Sequence, residues 1–221
     1  LTRLAHLWLR PRLGTDLAWI NGLMHLILQR GWQDRAFIEE RTEGFEELAA
    51  ALGEYTPGSV ASETGIPEGD LHRAAELMGT ERPASILYAM GITQHANGTD
   101  KVKALADLAM LTGNVGVEGG GVNPLRGQNN VQGACDMGAL PNVLPGYQTV
   151  DSDEVRQRFS RAWRCGELPG ETGLAATRMM PAAREESLKG MYIMGENPVL
   201  SDADQSHVES ALDSLSFLLV Q

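Results

Sequence analysis

Between positions 119 and 138 the chain sets six glycines (Gly119, Gly120, Gly121, Gly127, Gly133, Gly138) and one arginine, Arg126, which is followed by four side-chain amides (Gln128, Asn129, Asn130, Gln132). Glycine admits backbone conformations and close approaches that a Cβ forbids. Each amide offers a carbonyl acceptor beside an NH2 donor, a combination that suits the mixed edge of a heterocycle. Arg126 adds a planar, permanently charged fork of donors, which fits a carboxylate or a phosphate. The segment is too polar for a core and too varied for a flexible linker. A glycine-rich surface loop without a ligand would share this composition, so composition by itself divides the two readings evenly.

Other chemistry is sparser. The five histidines are scattered. His25 lies among apolar helix positions and reads as packed, His72 and His207 read as solvent-facing, and His95 sits in a polar loop where a ligand could touch it. No H-E-x-x-H pattern and no cysteine cluster marks a metal site. Spacing assembles no Ser–His–Asp or Cys–His set. Cys135 and Cys165, the only two cysteines, read as ordinary thiols rather than a disulfide framework. The residues alone describe a binding module for a large polar ligand, with one arginine suited to an anion.

The elements that must position these groups follow a repeated order. Residues 4–9 are an apolar run read as a strand, followed by Gly14, Thr15 and Asp16. Leu17, Ile20, Leu23, Met24, Ile27 and Leu28 then recur at helical spacing until Gly31, with Asp16 as the candidate N-cap. Residues 34–41 and 45–52 predict two further helices. Residues 67–78 predict another, with Pro67 in its first turn and Gly79 as its stop. A second copy has a strand at 84–90 and a polar loop at 91–98. Its helix carries Val102, Leu105, Leu108, Ala109 and Leu111, is capped by Thr99 or Asp100, and ends at Gly113. Beyond the central segment, 141–145 suggests an irregular crossing, 155–163 a helix and 166–173 a loop. The third copy comprises a strand at 190–194, a loop at 195–201 and a helix at 203–212, before a final strand at 217–220. Such units predict a parallel α/β architecture. Ligands gather at the carboxyl ends of parallel strands, so loops 14–16, 91–98 and 195–201 are expected to converge there. None carries G-x-G-x-x-G or the Walker pattern.

At 221 residues the chain is one large domain or parts of two. Its 43% hydrophobic content is enough for a core, and a net charge of −11 argues against nucleic acid and against an anionic membrane surface. No run of about 18 apolar residues predicts a membrane span. The chain begins at Leu1 and closes on a strand-like run at Gln221, and both ends read as cut. The lack of a targeting signal is therefore uninformative.

Arg126-Gly-Gln-Asn-Asn-Val-Gln-Gly-Ala-Cys-Asp-Met-Gly138 resembles a signature of the catalytic subunits of molybdenum-dependent formate dehydrogenases, within the molybdopterin oxidoreductase family. The resemblance extends to Arg41-Thr-Glu-Gly-Phe-Glu-Glu47, Met110-Leu-Thr-Gly-Asn114 and Ile193-Met-Gly-Glu-Asn-Pro198, and so spans essentially the whole chain. It implies parts of two adjoining Rossmann-like α/β domains, 1–128 and 129–221. The implied cofactor is a pair of molybdopterin guanine dinucleotides holding molybdenum or tungsten. Gly14, Thr15, Asp16, Gly91, Gln94, Gln128, Asn197 and Ser201 would line its sites, and Arg126 would stand beside the metal as the catalytic residue. The family's cysteine or selenocysteine metal ligand, its histidine and, in many members, a 4Fe-4S cluster lie upstream, and no segment here matches them. The expected partners are formate, the remaining domains of the same subunit and electron-transfer subunits, in the cytoplasm. As a central fragment the chain is expected to be inactive alone. Two positions depart from the pattern: Leu13 stands where many relatives have proline, and Asn197 where aspartate is common. The alternatives are a metal-free scaffold relative, such as a respiratory NADH dehydrogenase subunit, and a nucleotide-binding module.

Overall fold

Helix α1 (Asp16–Arg30) buries Ala18, Ile20, Leu23, Met24, Leu26 and Ile27. Residues on more than one face are sealed, so the helix must be surrounded rather than laid on a surface. It is the axis of the first of two compact units, Leu1–Gly127 and Gln128–Gln221, in a computed structural model that describes residues 2–221. Gly31, at φ 71°, ends α1: its N–H donates to Leu28 O and that of Trp32 to Ile27 O, closing the last turn as a Schellman motif. Around α1 the chain winds α2 (Arg35–Arg41), α3 (Phe45–Leu52), α4 (Pro57–Thr64) and α5 (Glu68–Thr80). Next come β1 (Ser85–Tyr88), the single turn α6 (Met90–Thr93), α7 (Gly98–Leu111) and β2 (Gly121–Pro124). Helices α3, α4, α5 and α7 all pack on α1. Strands β1 and β2 run parallel, Ser85 opposite Gly121 and Tyr88 opposite Pro124.

Several expectations change in this unit. Residues 4–9 form no strand: a 3-10 turn at Thr2–Leu4 leads into irregular chain, with Leu4 and Trp8 exposed. An apolar run becomes a strand only when a neighbour takes its backbone groups, and no described segment does so here. Gly79 does not stop α5. It lies inside the helix and faces Trp32, whose Cβ would stand 2.8 Å from a Cβ at position 79. Helix α4, absent from the sequence reading, is capped by Thr56, which accepts from Ser59 N, and closed by left-handed Gly65. The Met110–Asn114 segment is a clamp. Buried Asn114 accepts from Ala84 N at the start of β1 and donates to Thr112 Oγ1, while a Cβ at Gly113 would overlap the Asp34 carboxylate.

The second unit holds α8 (Val131–Asp136), β3 (Val143–Leu144), β4 (Gln148–Thr149), α9 (Asp153–Trp163) and α10 (Ala176–Arg184). These are followed by β5 (Gly190–Ile193), α11 (Pro198–Ser201), α12 (Gln205–Asp213) and β6 (Phe217–Val220). Strands β5 and β6 are parallel, and Gly195 N to Gln221 O continues their ladder. Its buried residues include Val143, Ala182, Ala183, Ile193, Val208 and Ala211, with α10 packed on α12. The crossing expected at 141–145 is instead one arm of an antiparallel hairpin, β3 with β4. Helix α10 was not expected, because Pro181 interrupts its sequence pattern. The molecule is an α/β protein with parallel sheets, and no described helix is long and apolar enough to cross a membrane.

Candidate functional site

The segment 119–138 is not one loop. Its Gly121–Pro124 portion is β2, recruited into strand form by the free edge of β1, and Asn123 Nδ2 donates to Ser85 Oγ across the pair. Leu125 N still donates to Tyr88 O, so the ladder outlasts the strand by one residue. Arg126 follows immediately and is exposed. Since β1 and β2 are parallel and in register, the chain leaving Tyr88 and the chain leaving Pro124 emerge at the same edge. The first carries Gly91 and Gln94, both exposed, and the second Arg126. The segment 91–98, read from sequence as a loop, begins with the turn α6. His95 is exposed and its Nε2 bonds to Gly91 O at 3.0 Å. A Cβ at Gly98 would overlap the Thr93 carbonyl oxygen, so glycine lets α7 start directly behind α6.

The turn at 14–16 joins this edge through a pair that sequence reading missed. Lys101, in the first turns of α7, is 0% exposed, and its Nζ donates to Asp16 Oδ2 at 2.6 Å. Asp16 is thus not the N-cap of α1. Thr15 holds that position without a side-chain cap bond, and Thr15 Oγ1 donates instead to Arg12 O. Arg12 in turn anchors the turn to α4, its guanidinium donating to Ser62 O and Glu63 O. One signal for Lys101 was present: it lies four and seven residues before Leu105 and Leu108, on the apolar stripe of α7.

In the second unit Gln128 is exposed, ahead of left-handed Asn130 at φ 52°. Asn197 and Ser201 follow the carboxyl end of β5, both exposed. Asn197 O accepts from Ser201 N at 3.0 Å, and Ser201 Oγ reaches Glu196 Oε1 at 3.5 Å. Gln132 Nε2 donates to Tyr147 OH at 3.1 Å.

The glycines sort by surroundings. A Cβ at Gly14, Gly91, Gly127 or Gly195 would meet no atom within 4 Å, whereas at Gly22, Gly79, Gly98 and Gly113 it would strike a neighbour. Gly14 lies in the turn before α1, and Gly91, Gly127 and Gly195 lie beyond β1, β2 and β5, where bare backbone faces open space. Among the described residues no group of three His, Cys, Asp or Glu side chains is placed to hold a metal ion, and Cys135 and Cys165 are free thiols.

These features define a class: an α/β protein with polar, glycine-opened turns at the carboxyl ends of parallel strands. The chain belongs to the molybdopterin oxidoreductase family, which it matches over residues 2–221. It is 49% identical to the F420-dependent formate dehydrogenase subunit alpha of Methanocaldococcus jannaschii, over 94% of this chain and 30% of that protein. It is 42% identical to formate dehydrogenase H of Escherichia coli, over 99% of this chain and 31% of that protein. Among solved structures, acetylene hydratase from Pelobacter acetylenicus superposes with a TM-score of 0.70 at 21% identity, over 99% of this chain and 32% of that one. At that identity the likeness is one of fold. The chain spans about a third of the length of these relatives.

Proposed function

We propose that the chain is the central portion of a formate dehydrogenase catalytic subunit, oxidising formate to CO2 or running the reverse. What carries the reading is likeness at 42–49% identity, over 94–99% of the chain, to proteins named as formate dehydrogenases. Those names are names of enzymes, so the metal-free scaffold is not favoured.

The donor set supports a molybdopterin guanine dinucleotide. Such a group is long, anionic at its pyrophosphate and polar along its ring edges. Open glycines at 14 and 91 in the first unit, and at 195 in the second, would each let such a group meet backbone without an intervening side chain. In the intact protein Gly14, Thr15, Asp16, Gly91, Gln94, Gln128, Asn197 and Ser201 would line the sites of a pair of such groups, each unit contributing its own residues. The bound molybdenum or tungsten supplies two-electron redox chemistry, and any 4Fe-4S cluster belongs to other parts of the parent protein. The proposed setting is the cytoplasm, with the rest of the subunit and electron-transfer subunits as partners.

Formate is a small anion with almost no apolar surface, so hydrophobic burial cannot hold it. A site must offer charge and donors in one plane, and Arg126 has both at the carboxyl edge of β2. Its role is to orient formate and steady its charge as the substrate reacts. Arg126→Lys in the full-length enzyme keeps the charge and loses the fork. It should lower kcat and kcat/KM together, by roughly ten- to a thousandfold. Full turnover and unchanged formate affinity with cofactor bound would assign Arg126 a structural role instead.

A further inference from the structure

The geometry points to Lys101 as the positioning residue that aims Asp16 at the donor edge of the guanine ring, a role that rests on the cofactor reading above. Lys101 is fully buried on α7, and among the described residues its ammonium has one partner, Asp16 Oδ2. A buried ion pair is weak support for a fold, since an apolar side chain of like volume usually serves as well. What an ammonium adds at this position is direction.

Asp16 stands in the first turn of α1, where a carboxylate would otherwise swing onto the unpaired backbone N–H groups of the helix end. It makes no such bond. Lys101 wins the competition and draws the side chain toward α7, across 85 residues of sequence. The structure shows one oxygen of Asp16 engaged, no partner for Oδ1 among the described residues, and 19% of the side chain still exposed, two residues from open Gly14. A carboxylate is an acceptor only. Held this way it accepts from the imino and amino N–H groups of guanine. It repels the acceptor-bearing edges that adenine and cytosine would present. Lys101 thus acts on the base through Asp16, without touching it.

The test uses the full-length, cofactor-loaded protein and counts guanine nucleotide per protein after purification and after prolonged dilution. Thermal midpoints are recorded alongside. Lys101→Met and Asp16→Asn should each reduce retained nucleotide about tenfold. Their combination should be no worse than Asp16→Asn alone, because the lysine acts through that side chain. Lys101→Gln, which keeps a donor for Asp16, should recover most of the loss. If Lys101→Met lowers the thermal midpoint but leaves retention unchanged, or multiplies with the Asp16→Asn loss, Lys101 is only structural. If Lys101→Met does not fold, Lys101→Gln and the double variant, which has no unpaired charge, are compared with Asp16→Asn. Equal retention in the double variant and Asp16→Asn supports the role, and lower retention in the double overturns it. Full guanine content in Asp16→Asn would instead remove the turn at 14–16 from the cofactor site, and the inference with it.

Discussion

Removing the carboxylate of the Asp16–Lys101 pair should cost far more than removing the lysine. In Asp16→Ala the Lys101 ammonium keeps its 0% exposure and loses its counter-charge. Breaking a buried pair in this sense costs about 3–5 kcal/mol. In Lys101→Met the stranded group is Asp16, 19% exposed and reachable by water. It also sits in the first turn of α1, where the helix end favours a negative charge by about 0.3–1 kcal/mol. Methionine fills most of the lysine's volume, so the expected cost is about 1 kcal/mol. At about 2–4 °C per kcal/mol for a chain of this size, Asp16→Ala should lower Tm by roughly 6–20 °C and Lys101→Met by less than about 4 °C. Thermal unfolding followed by circular dichroism at pH 7 reads both. Equal costs for the two variants, or the reverse order, would falsify the reasoning by showing that water reaches the Lys101 charge.

Two glycines at the same edge should respond oppositely to alanine. Gly98→Ala drives a Cβ into the Thr93 carbonyl, which is backbone and cannot yield, so a loss of about 1–3 kcal/mol or more is expected in denaturant unfolding. Gly91→Ala enters open space and should stay within about 0.5 kcal/mol of wild type, while lowering guanine content in the full-length protein. Normal cofactor content there would remove Gly91 from the site. Asp107 borders a cleft of about 190 Å³ with Ile38, Phe45, Leu48 and Met110. Burial raises its pKa above the ordinary 3.8, and Lys103 only partly opposes the rise. The folded protein therefore holds this proton more tightly than the unfolded chain, and that contribution is lost as pH rises from about 3.8 through the raised value. Asp107→Asn should accordingly gain stability over wild type at pH 7 in urea titrations. The gain should narrow as pH falls through that window, and a gain independent of pH would rule out the desolvated carboxylate as its source.

Local order in this chain was legible wherever a pattern and its punctuation coincide. Helix α1 declares itself by 3.6-residue periodicity and by Gly31, whose left-handed conformation closes the last turn without any tertiary contact. Strands β1, β5 and β6 are short apolar runs followed by turn residues, and their alternation with helices is enough to call for parallel sheets. The polar turns that follow β1 and β5 come with that alternation, and the proposed cofactor residues Gly91, Gln94, Asn197 and Ser201 lie within them. Arg126 stands out by its type and neighbours as a group suited to an anion.

What stayed hidden depends on what lies across space. Residues 4–9 have a strand's composition and no ladder partner among the described residues, whereas Gly121–Pro124 has almost no strand character and is paired because β1 offers its edge. Glycines alike in sequence part ways once packed: Gly14 and Gly91 face open space, Gly79 faces Trp32 and Gly98 faces a carbonyl. Lys101 shows in the sequence as a charge on an apolar stripe. That it is sealed from water, and that Asp16 answers it, follows only when α1 and α7 pack side by side. Dihedral preference and periodicity act over a few residues and are written in the chain, but burial and the pairing it enforces belong to elements that meet only after folding.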